Sequence, residues 1–405
     1  MNIKFSKRSE LRPSPIFSQS SKVTRMREAG QDIISLALGE TDDFDTPLHI
    51  KAAAIEAIDS GKTKYTPVDG IAKLKQAICQ KLLQENDLEY NPYEVIVSTG
   101  AKQSIHNAMM CLLDKGDEVI LTAPYWPSYY DNIVLTGAKP VIIKTSLEKK
   151  FKLLPEQLEA AITKNTRIVI INSPNNPSGQ IYSASELKKL SKILLKHPQI
   201  LIITDDIYEH IKWSETEFSN ILNVCPSLKE RTLIINGISK SFAMTGWRMG
   251  YAAGPIDLIQ KMKSFQSQAT SCPCSITQYA ALEALDGNLS TIDKMVQTFQ
   301  KRHNFMFEFL TNLEGCEVQP AQGAYYLFPK VTEIIKRLEL KSDLELVDLI
   351  LEKAGVSVLP GSVFGVEGHL RISFVSSDDR LKEAIKRINE VIHPTESTED
   401  NETTS

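Results

Sequence analysis

Lys240 stands in a run of small and hydroxyl-bearing residues, NGISKSFAMTGWRMG from Asn236 to Gly250, with Arg248 close behind it. The preceding TLIIN (232–236) has the apolar, β-branched composition of a buried strand, so the lysine is delivered to a tight polar bend. A lysine held in a partly desolvated pocket loses proton affinity and becomes an amine nucleophile able to form an imine. An arginine nearby presents a planar fork that suits a phosphate. A second anion-binding feature lies at Gly100-Ala101-Lys102-Gln103, where an apolar run gives way to the helical pattern AKQSIHNAMMCLL. Unpaired backbone N–H groups at a helix start attract phosphate. Arg371 sits inside the apolar segment LRISF, where an unpaired charge is costly. A bidentate pair with a ligand carboxylate would compensate it, and so would a structural salt bridge. Taken alone, Lys240 and Arg248 also read as two solvated bases on a loop. Together they point to imine chemistry beside a phosphate.

The string SKSFAMTGWRMGYAAGP (239–255) closely resembles the cofactor-lysine segment of class I aminotransferases, the pyridoxal 5′-phosphate (PLP) enzymes of fold type I, and in particular their bacterial aspartate-type subgroup. The resemblance extends from about Pro13 to Ile392. It implies that Lys240 carries the cofactor and moves a proton during catalysis, and that Arg248 binds the cofactor phosphate with Gly100, Ala101 and the hydroxyl of Ser239 or Ser271. Asp205, in ILIITDDIYEH, matches the acid that faces the ring nitrogen; alternation along a strand turns Asp206 to the other side. Tyr208 and Asn176 (in SPNNPSG) match residues that contact the ring oxygen O3′, and Trp126 (in APYWPSY) matches the aromatic that stacks on the ring. Tyr65 matches a tyrosine that reaches the partner's phosphate across a dimer interface; it reads equally as a surface-loop ring. Arg371 becomes the substrate-carboxylate handle, with Gly39, Asn176 and Trp126 beside the substrate. Lys102, at the edge of the cofactor site, matches a lysine that binds a distal carboxylate, with hydroxyl residues of the N-terminal arm. Here the arm keeps Ser14 but has Ile16 where relatives carry threonine, and the loop GETDDFDTP has Thr41 in place of a proline and one extra aspartate. Aspartate or glutamate with a 2-oxo acid is the expected substrate pair. Aromatic or prephenate, alanine or specialised substrates, and a PLP lyase of the same fold, are the alternatives.

Elements that would position these residues follow from the pattern. Seven apolar runs, EVIVST (94–99), EVILTAP (118–124), PVIIKT (140–145), RIVIINSP (167–174), ILIITDD (200–206), TLIING (232–237) and RMGYAAG (248–254), alternate with helical stretches. They are apolar on both faces, as strands of a helix-covered, mostly parallel sheet should be. The expected class is α/β: a large domain built on that seven-stranded sheet, with a smaller α+β domain. The expected partition is an N-terminal arm and part of the small domain at 1–46, a PLP-binding domain at 47–290, a small C-terminal domain at 291–393 and a disordered tail at 394–405. Pro13 and Pro15 are expected to delay the first helix to about 21–29. A short strand is expected within 33–47. PLHIKAAAIEAIDSG (47–61) reads as a helix with Leu48, Ala52, Ile55 and Ile58 on its buried stripe.

Composition limits the alternatives. With 405 residues, 42% hydrophobic and 24% charged, the chain has the make-up of a globular protein. A net charge of −4 gives no basic surplus for nucleic acid or an anionic membrane. A PLP-binding regulator would need a helix-turn-helix domain and a basic face, and neither is present. No signal-like h-region or long apolar run occurs, and the cysteines lack metal or disulfide spacing, so a reduced, cytoplasmic protein without bound metal is expected, and the family resemblance implies a homodimer.

Overall fold

The computed structural model of the protein describes residues 3–6, 15–40, 43–287 and 289–393. Helix α1 (Pro15–Glu28) leads to the short strand β1 (Ile34–Ser35), then to α2 (Leu48–Asp59) and α3 (Ala72–Asn86). Next come β2 (Val95–Ser98), α4 (Ala101–Leu112), β3 (Glu118–Ala123), α5 (Pro127–Thr136), β4 (Lys139–Lys144) and α6 (Pro155–Ala161). The chain continues through β5 (Thr166–Asn172), α7 (Ala184–Leu195), β6 (Leu201–Asp205), α8 (Ile221–Val224), β7 (Thr232–Gly237) and β8 (Gly250–Ala253). Three helices follow, α9 (Ile256–Ala269), α10 (Ser275–Asp286) and α11 (Ser290–Asn312). The C-terminal part holds β9 (Tyr326–Leu327), α12 (Thr332–Arg337), α13 (Asp343–Leu349), β10 (Val356–Ser357), β11 (Leu359–Pro360), β12 (Leu370–Ser373) and α14 (Asp378–Ile392).

All seven apolar runs become strands of one sheet, in the order β2-β8-β7-β6-β5-β3-β4. Only β8 runs against its neighbours, β2 and β7. Successive side chains of one strand feed different cores. Val95 and Val97 pack with helices α3 and α10, whereas Ile96 joins the opposite core of α4, α5 and α9. This two-sided burial is why the runs lack polar alternation. A third core gathers α11, α13 and α14 around β9, β10 and β12, and Ile34 and Leu36 enter it from the N-terminal side, β1 pairing in parallel with β10.

Three local expectations are corrected. The first helix starts at Pro15 rather than near residue 21, because the first helical position has no intrahelical N–H bond for proline to forfeit. Arg248 precedes β8 instead of opening it, in a left-handed conformation with φ 56°. The inward face of α2 is Ile50, Ala54 and Ala57, which pack on α10; the expected stripe points outward, with Leu48 82%, Ile55 59% and Ile58 51% exposed. Both faces of α2 are apolar, and the small alanines allow the closer helix approach. Ser14, Thr41 and the tail 394–405 lie outside the described residues. Among the described residues no helix is long and apolar enough to cross a membrane.

A buried ionic network ties α3 to the sheet. Lys81 pairs with Glu209, which also accepts from Asn86 (2.7 Å) and Asn236 (2.5 Å). Burial by itself would raise the Glu209 pKa, but Lys81 and neighbouring donors outweigh it and hold the carboxyl down to about 2. Its stabilising contribution is therefore complete above the ordinary glutamate range and is lost as pH falls towards 2. Lys81→Met should cost about 3–5 kcal/mol at pH 7, since it leaves a buried charge unpaired. The deficit should shrink below about pH 4, where Glu209 in the variant takes up a proton; urea unfolding at both pH values measures it.

Candidate active site

A cavity of about 500 Å³ opens where the parallel strands end. Lys102 follows β2, Trp126 follows β3, Asn176 follows β5, Asp205 ends β6, and Ser239 and Lys240 follow β7; all line it. Because β8 is reversed, the residue just before it, Arg248, arrives at the same edge. Gly39, Ala101, Tyr208 and Arg371 complete the set of sequence-selected residues on the wall.

The Lys240 ammonium donates to the carbonyl of Gly39 at 3.3 Å and lies near the rings of Tyr208 and Tyr325. Burial lowers its pKa, and the cations Arg371 and Arg248 add to that, against the opposing pull of Tyr326 and Glu40. An amine with reduced proton affinity is a better nucleophile at neutral pH. Asp205 is buried, accepts from the Tyr129 hydroxyl at 2.6 Å and from the Ile207 backbone, and has no ion pair with a described residue. Its pKa is pushed up to about 6, chiefly by burial, against those hydrogen bonds and the Lys240 charge. A cation brought against it would restore the ionised form. Asp206 faces elsewhere, to Asn220.

The start of α4 forms an anion cradle. Its N-cap, Gly100, has no side chain to satisfy the first helical N–H groups, and its φ of +82° is one that glycine adopts readily. A Cβ added there would fall 2.4 Å from Arg248 Nη2, so the glycine lets the guanidinium close over the helix start. Arg248 makes no ion pair with a described residue, and its Nη1 donates to Thr245.

Arg371 is 2% exposed. It donates to Asn176 Oδ1 at 3.0 Å and to the Ala37 carbonyl, while its guanidinium lies over the rings of Tyr326 (4.3 Å) and Phe364 (4.9 Å). Among the described residues the Arg371 Nε has no partner, and no carboxylate lies within 4.0 Å of the guanidinium. A structural salt bridge, the alternative open from sequence, is absent among the described residues. Lys102 sits above the Trp126 ring at 4.9 Å and 5.8 Å from that of Phe17, its pKa lowered by burial and by Arg248.

Other selected residues lie apart. Gly100 backs the cradle without lining the cavity, and Ser271 sits beyond it, in a left-handed turn after α9. Tyr65 is 91% exposed. Sequence reasoning passed over Tyr129, whose only signal is a tyrosine three residues after Trp126 at a helix start, and Tyr326, hidden within an aromatic run. It gave no metal ligands; Glu85, Glu209 and His210 do cluster, but Lys81 pairs with both carboxylates and supplies their countercharge.

Comparison with known proteins gives the family. The family described as aminotransferase class I and II matches residues 31–388. The chain is 50% identical over 384 residues to an aspartate/prephenate aminotransferase of Nitrosomonas europaea, covering 93% of this chain and 96% of that one. The solved aspartate aminotransferase of Rhizobium meliloti superposes with a TM-score of 0.92 at 43% identity, covering 96% and 99% of the two chains. That of Thermus thermophilus, with maleate, gives 0.90 at 37% identity, covering 96% and 100%. The chain belongs to the class I and II aminotransferase family, with the fold type I architecture.

Proposed function

We propose that the protein is a PLP-dependent aminotransferase that exchanges the amino group of aspartate or glutamate with a 2-oxo acid. The observation that carries the reading is the shared cavity: a half-buried lysine of lowered proton affinity and a buried arginine without a carboxylate face one another's ligand space. The donor set fits PLP: an uncapped helix start with an unpaired arginine for phosphate, and a buried, unpaired acid for a ring cation. Bound there, PLP supplies a carbonyl carbon that captures amines and a protonated ring that accepts an electron pair.

The chain's own groups then divide the work. Arg371 grips the α-carboxylate, its fork already oriented by Asn176 and the Ala37 carbonyl. With PLP bound, Lys240 Nζ would serve as the general base and acid that takes the substrate's α-proton and passes it on. Asp205, kept in place by Tyr129, holds the proton on the ring nitrogen. Ser239, Arg248 and the backbone of Gly100 and Ala101 hold the phosphate, Trp126 covers the ring, and Tyr208 with Asn176 serves its O3′. Gly39 lines the substrate side of the cavity and has no side chain because Tyr326 and Tyr325 pack against it, a Cβ there falling 2.2 Å from the Tyr326 hydroxyl. Lys102, a second cation in the same cavity, suits a dicarboxylate. Its contacts with Phe17 and Trp126 also favour a second reading, a ring-bearing dicarboxylate such as prephenate, the substrate named for the Nitrosomonas relative. The outward apolar stripe of α2, with Tyr65 in the loop beyond it, supports a second copy of this chain as partner, Tyr65 and Ser271 reaching across. Six unpaired cysteines suit the cytoplasm.

Purified protein with PLP should show a visible absorbance band. L-aspartate alone should replace it with an ultraviolet band, and 2-oxoglutarate should restore it; a band unmoved by aspartate refutes the substrate. Lys240→Ala should lack the band and multiple turnover. Lys102→Ala should lower kcat/KM for aspartate by about 100-fold and for alanine by less than about threefold, and equal losses would refute a distal-carboxylate role. Asp205 carries a raised pKa, so its ionisation subtracts stability from the cofactor-free protein as pH rises from about 4 to about 6. Cofactor-free Asp205→Asn should therefore match the wild type near pH 4 and exceed it at pH 8 by up to roughly 3 kcal/mol in urea unfolding, while losing most activity.

A further inference from the structure

We infer that Tyr326 is a positioning residue that links the carboxylate handle Arg371 to Tyr208, the phenol assigned to the cofactor's O3′; the inference rests on the PLP reading above. Strand register creates the link. Tyr326 on β9 stands opposite Ser373 on the antiparallel β12, and Arg371 lies two residues from Ser373, on the same face. The guanidinium carbon sits 4.3 Å from the centre of the Tyr326 ring, which fixes the plane of the fork. The hydroxyl of the same ring lies 3.2 Å from that of Tyr208. The Tyr325 hydroxyl lies beside both of these hydroxyls, and Gly39 closes in on the Tyr326 oxygen.

A tyrosine here that only filled space would need no hydroxyl. The neighbouring Tyr325 donates its own hydroxyl to the Gly39 carbonyl at 2.9 Å while staying beside the hydroxyls of Tyr208 and Tyr326. When Tyr208 donates to O3′, its remaining lone pairs accept from Tyr326. A phenol that accepts a hydrogen bond becomes a stronger donor. Tyr326 thereby strengthens the hold of Tyr208 on negative charge at O3′, which in turn lowers the proton affinity of the Lys240 nitrogen bonded to the cofactor. The same ring sets how Arg371 meets a carboxylate, so both ends of the substrate's site pass through one side chain. The charged and titratable groups facing this pair are Arg371 from β12, Tyr325 beside it, Tyr129 from α5 and Lys240 from the turn after β7; Asp205 and Glu40 act on the pair through Lys240.

Two substitutions separate the two functions. In PLP-loaded Tyr326→Phe the pH midpoint of the visible band should rise by about half a unit or more, a threefold or greater change in the proton dissociation constant. Its dissociation constant for succinate, a dicarboxylate without an amino group, should stay within about threefold of wild type, because the ring remains. Tyr326→Leu should raise the midpoint similarly and weaken succinate at least about tenfold. An unmoved midpoint in Tyr326→Phe overturns the link even if Tyr326→Leu does not fold, and equal succinate losses in both variants overturn the role of the ring. A wild-type protein that forms no visible band with PLP would overturn the cofactor reading itself, an outcome distinct from a band that forms and ignores the substitution.

Discussion

Enclosing the Arg371 guanidinium costs free energy that its carbonyl, amide and aromatic neighbours only partly return, and no described carboxylate completes the balance. The cavity around it adds Lys240, Lys102 and Arg248, so cations gather on one wall of a protein whose net charge is −4. Among acids, the wall offers Asp205 and Glu40. A concave, low-dielectric surface of one sign concentrates field on whatever anion enters it. The unbound site is thus held in a state that an anionic ligand relieves, and the tightly packed two-sided sheet is what keeps it from relaxing by itself.

The same logic runs through Asp205. Its burial beside Tyr129 favours the protonated form, yet a ring cation needs the ionised one. The Glu209 site behind it is the contrasting case. There the carboxylate is fully supplied with a lysine and amide donors and is held strongly ionised. Four residues apart, Asp205 has hydrogen bonds but no ion pair with a described residue, whereas Glu209 has a lysine of its own.

Much of this was readable in the chain. The seven strands were legible because burial on both faces leaves a continuous apolar run, and the residues after them because strings such as SKSFAMTGWRMGYAAGP resemble a known family; Lys240 and Arg248 alone also read as solvated bases. The inward face of α2 was not, since Leu48, Ile55 and Ile58 on one side and Ile50, Ala54 and Ala57 on the other satisfy the same helical period. Which side turns in depends on α10, some two hundred residues away in sequence, and period carries no such information. Tyr129 and Tyr326 were illegible for a related reason. Their contacts, Asp205 at the end of β6 and Tyr208 in the turn after it, are distant in sequence, and a tyrosine among aromatics announces nothing by its type.

The reversed strand β8 bears on how the molecule is assembled. Among the described residues β2 bonds to no strand except β8, although some 150 residues separate them. While the chain leaves the ribosome, β3 to β6 can pair in succession, but β2 and the helix start that follows it must wait until residue 253 has emerged. Closure of that last seam also brings Arg248 against Gly100. The helix start and Arg248 therefore meet only when the last seam of the sheet closes, so an anion held between them would report a finished central sheet.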